Sequence, residues 1–231
     1  PRAGLAVLGV RLSGDHAVPH DRGVADQREV LEAQREAVVL RRIDHDLVQV
    51  GHAADDRAGL TRQLADLAAT CNLIVTTGGI SVGEEDHVRP ALSRLGGEIL
   101  FSGVAIKPGK PVSLGRLGRA MWLGLPGNPL SAFVTWQVFG TALVRALTGQ
   151  TGAPSRRHVV LLDPVQRKPG RCELRPATIA GFDAHGREVA RFDSATHSGR
   201  VGNLPDSDGL IFLPAEADHL PAGALVEFQP F

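Results

Sequence analysis

The run Thr76-Thr77-Gly78-Gly79-Ile80-Ser81-Val82-Gly83-Glu84-Glu85-Asp86 follows the apolar Leu73-Ile74-Val75. Glycines let backbone N–H groups approach an anion closely, so Gly78, Gly79 and Gly83 have the makeup of a phosphate cradle. The hydroxyls of Thr76, Thr77 and Ser81 could hold further phosphate oxygens. A carboxylate among Glu84, Glu85 and Asp86 could share Mg²⁺ with that phosphate, since Mg²⁺ takes one or two protein carboxylates plus substrate oxygens. The same residues also describe a tight turn whose acids favour the positive end of the next helix. Composition leaves both readings open, because short glycine-rich strings are common.

Four further constellations have the same two-sided character. Asp55-Asp56 offers a metal or ligand-orienting group, or a helix cap. Lys107 and Lys110 flank Pro108-Gly109, a turn that aims two ammonium groups at one anion or leaves both solvated. Pro126-Gly127-Asn128-Pro129 is a stiff strand-to-helix connection whose exposed N–H groups suit an anion. Ser198-Gly199-Arg200 is a flexible turn carrying one cation.

These groups need elements to hold them. Gly4 to Val10 reads as a strand, a helical run is expected from Gln27 to Arg42, and Asp46 to Val50 reads as a second strand. Asp55-Asp56 would cap a helix with Leu60, Leu64, Leu67 and Ala68 on one face, leading to a third strand at Leu73 to Thr77. Pro90 suits the first turn of a helix from Val88 to Leu95. Short apolar stretches follow at Glu98 to Phe101, Val104 to Ile106, Val112 to Leu114 and Ala120 to Leu125. Asn128 and Pro129 then start an apolar helix that Gly149 stops. Alternating apolar strands and helices predict a mostly parallel sheet covered on both faces, with ligands at the carboxyl ends of its strands. After Thr151-Gly152-Ala153-Pro154-Ser155 only short strands are expected, at His158 to Leu162, Glu188 to Phe192, Leu210 to Leu213 and Leu225 to Phe228. The expected division is therefore an α/β domain at 1–150 and a small β domain at 156–231.

The 25 basic and 25 acidic residues balance, so no global field recruits nucleic acid or an anionic membrane. Cys71 and Cys172 lack a zinc or disulfide spacing, which fits a reducing cytoplasm. The nine histidines show no metal-ligand spacing, and Trp122 and Trp136 read as core. No apolar run is expected to span a bilayer and no signal peptide is evident. The absence of GxSxG, GxxxxGK[ST] and GxGxxG patterns lowers serine hydrolase, P-loop and dinucleotide-binding readings. A strand almost at the first residue, with Met121 the only methionine, reads as part of a longer protein.

Taken in order, TTGGISVGEEDHVRPAL, AIKPGKP and LPGNPLSAF resemble the C-terminal half of the molybdopterin molybdenumtransferases, the MoeA and gephyrin E-domain family. The tail from Ser198-Gly199-Arg200 to Asp208-Gly209-Leu210-Ile211-Phe212-Leu213-Pro214 looks like that family's closing β domain. The glycine run alone is shared with adenylyl-molybdopterin-forming and CinA-like proteins. The resemblance implies a three-layer α/β/α, MogA-like domain followed by a β-barrel-like one. It implies a cytoplasmic homodimer that inserts molybdate into adenylylated molybdopterin, releasing AMP with the help of Mg²⁺. By motif position Asp86, Glu85 and Asp56 would serve the metal, and Asp55 and Asp86 the reaction. Lys107 and Lys110 would bind the oxyanion. Thr76, Thr77, Gly78, Gly79, Ser81, Gly83 and Ser198 would bind the pterin nucleotide, and Pro126, Gly127, Asn128 and Pro129 would shape the pocket wall.

Departures from the family pattern stand beside these motifs. Ser13-Gly14-Asp15-His16 replaces TGDE, exchanging a hard oxygen ligand for an imidazole. Gly103 stands where a lysine is frequent, and the family's N-terminal half is lacking. The readings kept beside the transferase are a non-catalytic molybdopterin- or AMP-binding module and a molybdopterin adenylyltransferase.

Overall fold

The structure is a computed structural model that describes residues 5–12, 45–52, 57–79, 87–151, 155–192 and 204–231, with 45–52 described by its backbone. The helix expected from Gln27 to Arg42, His16, Asp55, Asp56, the run Ile80 to Asp86 and Ser198 lie outside these residues. Packing divides the chain into two compact units: Pro1–Ser102 with Pro111–Gly127, and Gly103–Lys110 with Asn128–Phe231.

The first unit is built on a six-stranded sheet. Its strands are β1 (Ala6–Leu12), β2 (His45–His52), β3 (Leu73–Thr77), β4 (Glu98–Ser102), β6 (Ser113–Leu117) and β7 (Ala120–Leu125), in the order β2-β1-β3-β7-β6-β4. Helices α1 (Arg57–Thr70) and α2 (Val88–Arg94) cover one face. Leu60, Leu64 and Leu67, spaced as the amphipathic pattern requires, pack there with Val7, Ile74, Val88, Leu92 and Trp122. Gly9 permits the close approach, because a Cβ at that position would lie 2.5 Å from Leu67 Cδ2 and 2.7 Å from Cys71 Sγ. On the alternate face Leu8, Val10, Leu73, Val75, Leu123 and Leu125 are also buried. The strands are therefore apolar on both sides, as their continuous runs imply.

The sheet is nevertheless mixed, which corrects the expected mostly parallel arrangement. Only β3 and β7 run parallel; β1 is antiparallel to β2 and β3, and β6 is antiparallel to β4 and β7. Leu117 pairs with Ala120, leaving a two-residue Gly118-Arg119 loop with φ of +59° at Gly118. Two residues suffice for a hairpin and cannot make a parallel crossover.

The second unit holds β5 (Ile106–Lys107) and the strands β8 (Arg157–Leu161), β10 (Cys172–Phe182), β11 (Glu188–Phe192), β12 (Gly209–Leu213) and β14 (Leu225–Pro230). Their order is β11-β8-β14-β12-β10-β5, and β10 also pairs with β11, so five of them close into a ring. Val159, Leu161, Ala190, Ile211, Leu213 and Phe228 fill it. The short strands β9 (Val165–Gln166) and β13 (His219–Leu220) pair separately.

This unit also contains α3 (Pro129–Thr135), a π-helical turn at Trp136–Gly140 and α4 (Thr141–Leu147). Asn128 Oδ1 accepts from Ser131 N at 3.1 Å and Pro129 occupies the first turn, as their types predict. Gly149, with φ of +70°, ends the run as Gly149 N and Gln150 N donate back to Ala146 O and Arg145 O. The 19 residues Pro129–Leu147 have a mean hydropathy of 1.3, long and apolar enough by length and composition to cross a bilayer. That corrects the expectation that no apolar run reaches this length; core helices meet the same criterion.

Candidate functional site

In the first unit the motifs TTGG and LPG lie side by side, at the carboxyl ends of the two parallel strands. Thr77 is the register partner of Leu125, and Gly78 N donates to Leu125 O at 3.0 Å. A Cβ on Gly127 would sit 3.3 Å from Gly78 Cα, so the two glycine corners are nearly in backbone contact. Gly78 and Gly79 have φ of +81° and +63°, a left-handed region open to glycine at little cost. Thr77, Gly78 and Gly79 are half-buried, Pro126 is buried and Gly127 is exposed. The corner thus presents backbone to solvent where ligands bind α/β sheets.

Thr76 is placed differently from the expectation. Its side chain is fully buried, and its Oγ1 accepts the indole N–H of Trp122 at 3.1 Å. The hydroxyl faces the helix-covered core and Thr77 is the threonine at the corner.

Two contacts draw together the flanks of the acidic segments. A Cβ on Gly79 would lie 3.2 Å from Val88 Cγ2, so the chain on either side of residues 80–86 meets. Arg57 Nε donates to His87 Nδ1 at 3.4 Å, bringing the neighbour of Asp56 to the neighbour of Asp86. Arg57 and His87 carry no motif signal of their own, and each stands beside an acid of the candidate set. Among the described residues no three His, Cys, Asp or Glu side chains form a metal-holding group. The acids proposed for Mg²⁺ all lie outside them, but as carboxylates they are the hard donors this ion takes.

In the second unit Lys107 is not a solvated surface lysine. The Lys107–Pro108 peptide is cis, Gly109 is buried with φ of +107°, and a Cβ on Gly109 would run into Thr135 Cγ2. Lys107 Nζ lies 3.3 Å from Glu173 Oε1, with Lys107 43% and Glu173 4% exposed in their side chains. The same oxygen accepts from Arg175 Nε at 3.1 Å and pairs with Arg175 Nη2 at 3.0 Å, while Glu173 Oε2 meets Arg167 Nε at 3.3 Å. Burial alone would raise the Glu173 carboxyl, but the charges of Arg175 and Lys107 and their hydrogen bonds outweigh it and hold it below its ordinary value. Glu173, Arg167 and Arg175 went unnoticed in the sequence because nothing local marks this acid as the point where two nearby arginines meet Lys107, 66 residues away.

Lys110 is exposed, and its carbonyl accepts from Val104 N at 2.9 Å, closing the loop that carries Lys107. Gly103, where a family lysine is frequent, has φ of +83°, a strained conformation for a lysine. Both cysteines are free thiols raised by burial; at Cys71 the Thr70 hydrogen bond and Arg11 oppose the rise, at Cys172 chiefly Arg167.

Residues 22–146 match the family described as a probable molybdopterin binding domain, and residues 158–231 match the MoeA C-terminal region, its domain IV. The chain belongs to the MoeA and gephyrin family of molybdopterin molybdenumtransferases. It is similar to a molybdopterin molybdenumtransferase of Haemophilus influenzae, with 28% identity over 97% of this chain and 56% of that protein. It is also similar to gephyrin of Dictyostelium discoideum, with 30% identity over 77% of this chain and 28% of that protein. Among solved structures, the MoeA protein of Pyrococcus horikoshii superposes with a TM-score of 0.62 and 26% identity, over 78% of this chain and 42% of that one. The chain thus spans about half, or less, of the MoeA and gephyrin relatives it matches.

Proposed function

We propose that the chain carries the pterin-nucleotide part of a molybdopterin molybdenumtransferase, which inserts molybdate into adenylylated molybdopterin and releases AMP. The observation that carries this reading is the juxtaposition of Gly78 and Gly127 at the ends of β3 and β7. Backbone amides at Gly78, Gly79 and Gly127, with the Thr77 hydroxyl, would take phosphate oxygens, joined by Ser81, Gly83 and Ser198. Pro126 and Pro129 would shape the wall beside Asn128. Lys107 and Lys110 would hold the oxyanion, and the excess of cations around Glu173 supports that role for Lys107.

Asp86, Glu85 and Asp56 would hold Mg²⁺, with Asp55 beside them; the Arg57–His87 contact supports their convergence. When bound, the ion supplies charge neutralisation at the pyrophosphate. The chain's own residues contribute fixed amides and cations that stabilise negative charge on the leaving phosphate, with no covalent intermediate. We further propose a three-layer MogA-like arrangement for the family's complete domain, with sequence modules at 1–150 and 156–231. Homodimer assembly and a cytoplasmic setting belong to the same proposal.

A non-catalytic molybdopterin-binding module is favoured over the transferase by one observation: His16 replaces an acid of the TGDE pattern. The match to the MoeA C-terminal region supports the transferase over an adenylyltransferase. The test is insertion of molybdenum from molybdate into adenylylated molybdopterin, with the chain alone and with the N-terminal half of a relative added. The transferase reading expects little turnover alone, AMP release on complementation, and loss of turnover with Asp86→Ala. Binding without turnover in both cases establishes the module. ATP consumption with molybdopterin establishes the adenylyltransferase.

A further inference from the structure

The carboxylate of Glu173 divides its work between its two oxygens. Oε2 faces Arg167, whose guanidinium is itself fixed by the carbonyls of Pro214, Ala217 and Arg171. Arg167 thereby ties the start of β10 to the turn after β12, and its side chain is only 2% exposed. Oε1 faces the other way and gathers Lys107 Nζ at 3.3 Å and Arg175 Nη2 at 3.0 Å onto one atom. Two cations that would repel each other are thus brought side by side. Arg175 also stacks over the Phe192 ring at 5.3 Å, which fixes its plane.

Charge makes this arrangement more than a structural ion pair. The four side chains carry three positive charges and one negative, so two positive charges stay uncompensated within the cluster. A buried cluster with such an excess is costly unless an anion completes it. Its accessible member is Lys107, which spends one of three N–H donors on Glu173. A divalent tetrahedral oxyanion approaching from solvent would meet Lys107 first and would neutralise the remainder.

We propose that Glu173 is a positioning residue that holds Lys107 and Arg175 as a preassembled pair for the substrate oxyanion, with Arg167 as its anchor. This rests on the reading of Lys107 as an oxyanion ligand. Glu173 does not touch the anion. Its carboxylate lowers the repulsion between the two cations and fixes the Lys107 ammonium before the anion arrives, so that less side-chain freedom is lost on binding.

The test is calorimetric titration of the whole chain with sodium molybdate, for the wild type, Lys107→Ala, Glu173→Gln and the double variant. Each single change is expected to weaken binding about tenfold, the size of one charge-assisted hydrogen bond. In the Lys107→Ala background, Glu173→Gln is expected to weaken binding by clearly less than about tenfold, because only its hold on Arg175 remains. Glu173→Asp, which keeps the charge, is expected to recover part of the loss. Molybdate binding as tight in Glu173→Gln as in the wild type, or an equal loss in both backgrounds, overturns the proposal. If Lys107→Ala binds like the wild type, the reading of Lys107 itself fails, a separate result. Should Glu173→Gln not fold, side-chain ¹⁵N relaxation of Lys107 in the anion-free wild type decides. A restricted ammonium supports preassembly, and a freely rotating one overturns it.

Discussion

Gly127 stands so close to Gly78 that a single methyl added to it would lie 3.3 Å from the Gly78 Cα. The two residues are far apart in sequence, yet their strands run parallel and end together, which places two glycine corners at one spot. The left-handed φ of Gly78 favours glycine there, while at Gly127 the contact merely tightens the corner. A Gly78→Ala change must adopt φ of +81° and is expected to cost about 1–2 kcal/mol, read as a lower urea midpoint with unchanged slope. Gly127→Ala is expected to cost less than Gly78→Ala, because the neighbouring backbone needs to give by only a few tenths of an ångström.

Thr76 and Trp122 form a buried polar pair in the core beneath the corner. Thr76→Val leaves the indole N–H without its acceptor and is expected to cost about 1–3 kcal/mol in denaturant unfolding. Trp122→Phe adds the loss of ring volume to the loss of the bond. In Thr76→Val/Trp122→Phe both polar partners are gone, so the combined cost is expected to fall short of the sum. An additive double variant would mean that the hydrogen bond contributes nothing.

Asn128 caps the helix that follows the LPG corner, accepting from both the N and the Oγ of Ser131 at 3.1 Å. Asn128→Ala is expected to destabilise by roughly 0.5–2 kcal/mol, and Asn128→Asp, which keeps an acceptor at the helix start, by less. Thermal unfolding ranks the two. An alanine variant as stable as the aspartate variant would contradict the cap.

The β10–β11 turn offers a pH marker away from the site. Asp183 is lowered from 3.8 to about 2, first by the backbone hydrogen bond from Arg187, which desolvation opposes, and further by the Arg187 side chain and the His185 N–H. A depressed carboxylate contributes stability above its unfolded value, and that contribution is lost as pH falls through the folded value. The advantage of wild type over Asp183→Asn is therefore expected to hold above pH 3.8 and to shrink toward pH 2. Carboxyl NMR titration reads the value directly; a midpoint at 3.8 would show that the turn does not hold its charge.

Local pattern revealed much of this fold because its signals were local. Leu60, Leu64 and Leu67 repeat at helical spacing and are buried together, and Asn128-Pro129 starts a helix by the chemistry of its own side chains. Strand direction was not legible, since an apolar run buried on both faces reads the same in either sense. The strand β10 was missed altogether: Glu173, Arg175 and Pro176 look like a polar, broken segment. Glu173 and Arg175 are buried because they compensate each other and because Arg167 and Lys107 arrive from elsewhere. Thr76 failed for the same reason, its hydroxyl being taken by a tryptophan 46 residues away.

The central claim, that the corner joining Gly78 and Gly127 receives the pterin nucleotide, is tested most directly by amide chemical shifts during titration of the chain with AMP and Mg²⁺. The account predicts saturable shifts at Thr77, Gly78, Gly79 and Gly127, with the barrel strands β8, β12 and β14 unmoved. Saturable AMP binding that leaves those four amides in place would contradict it.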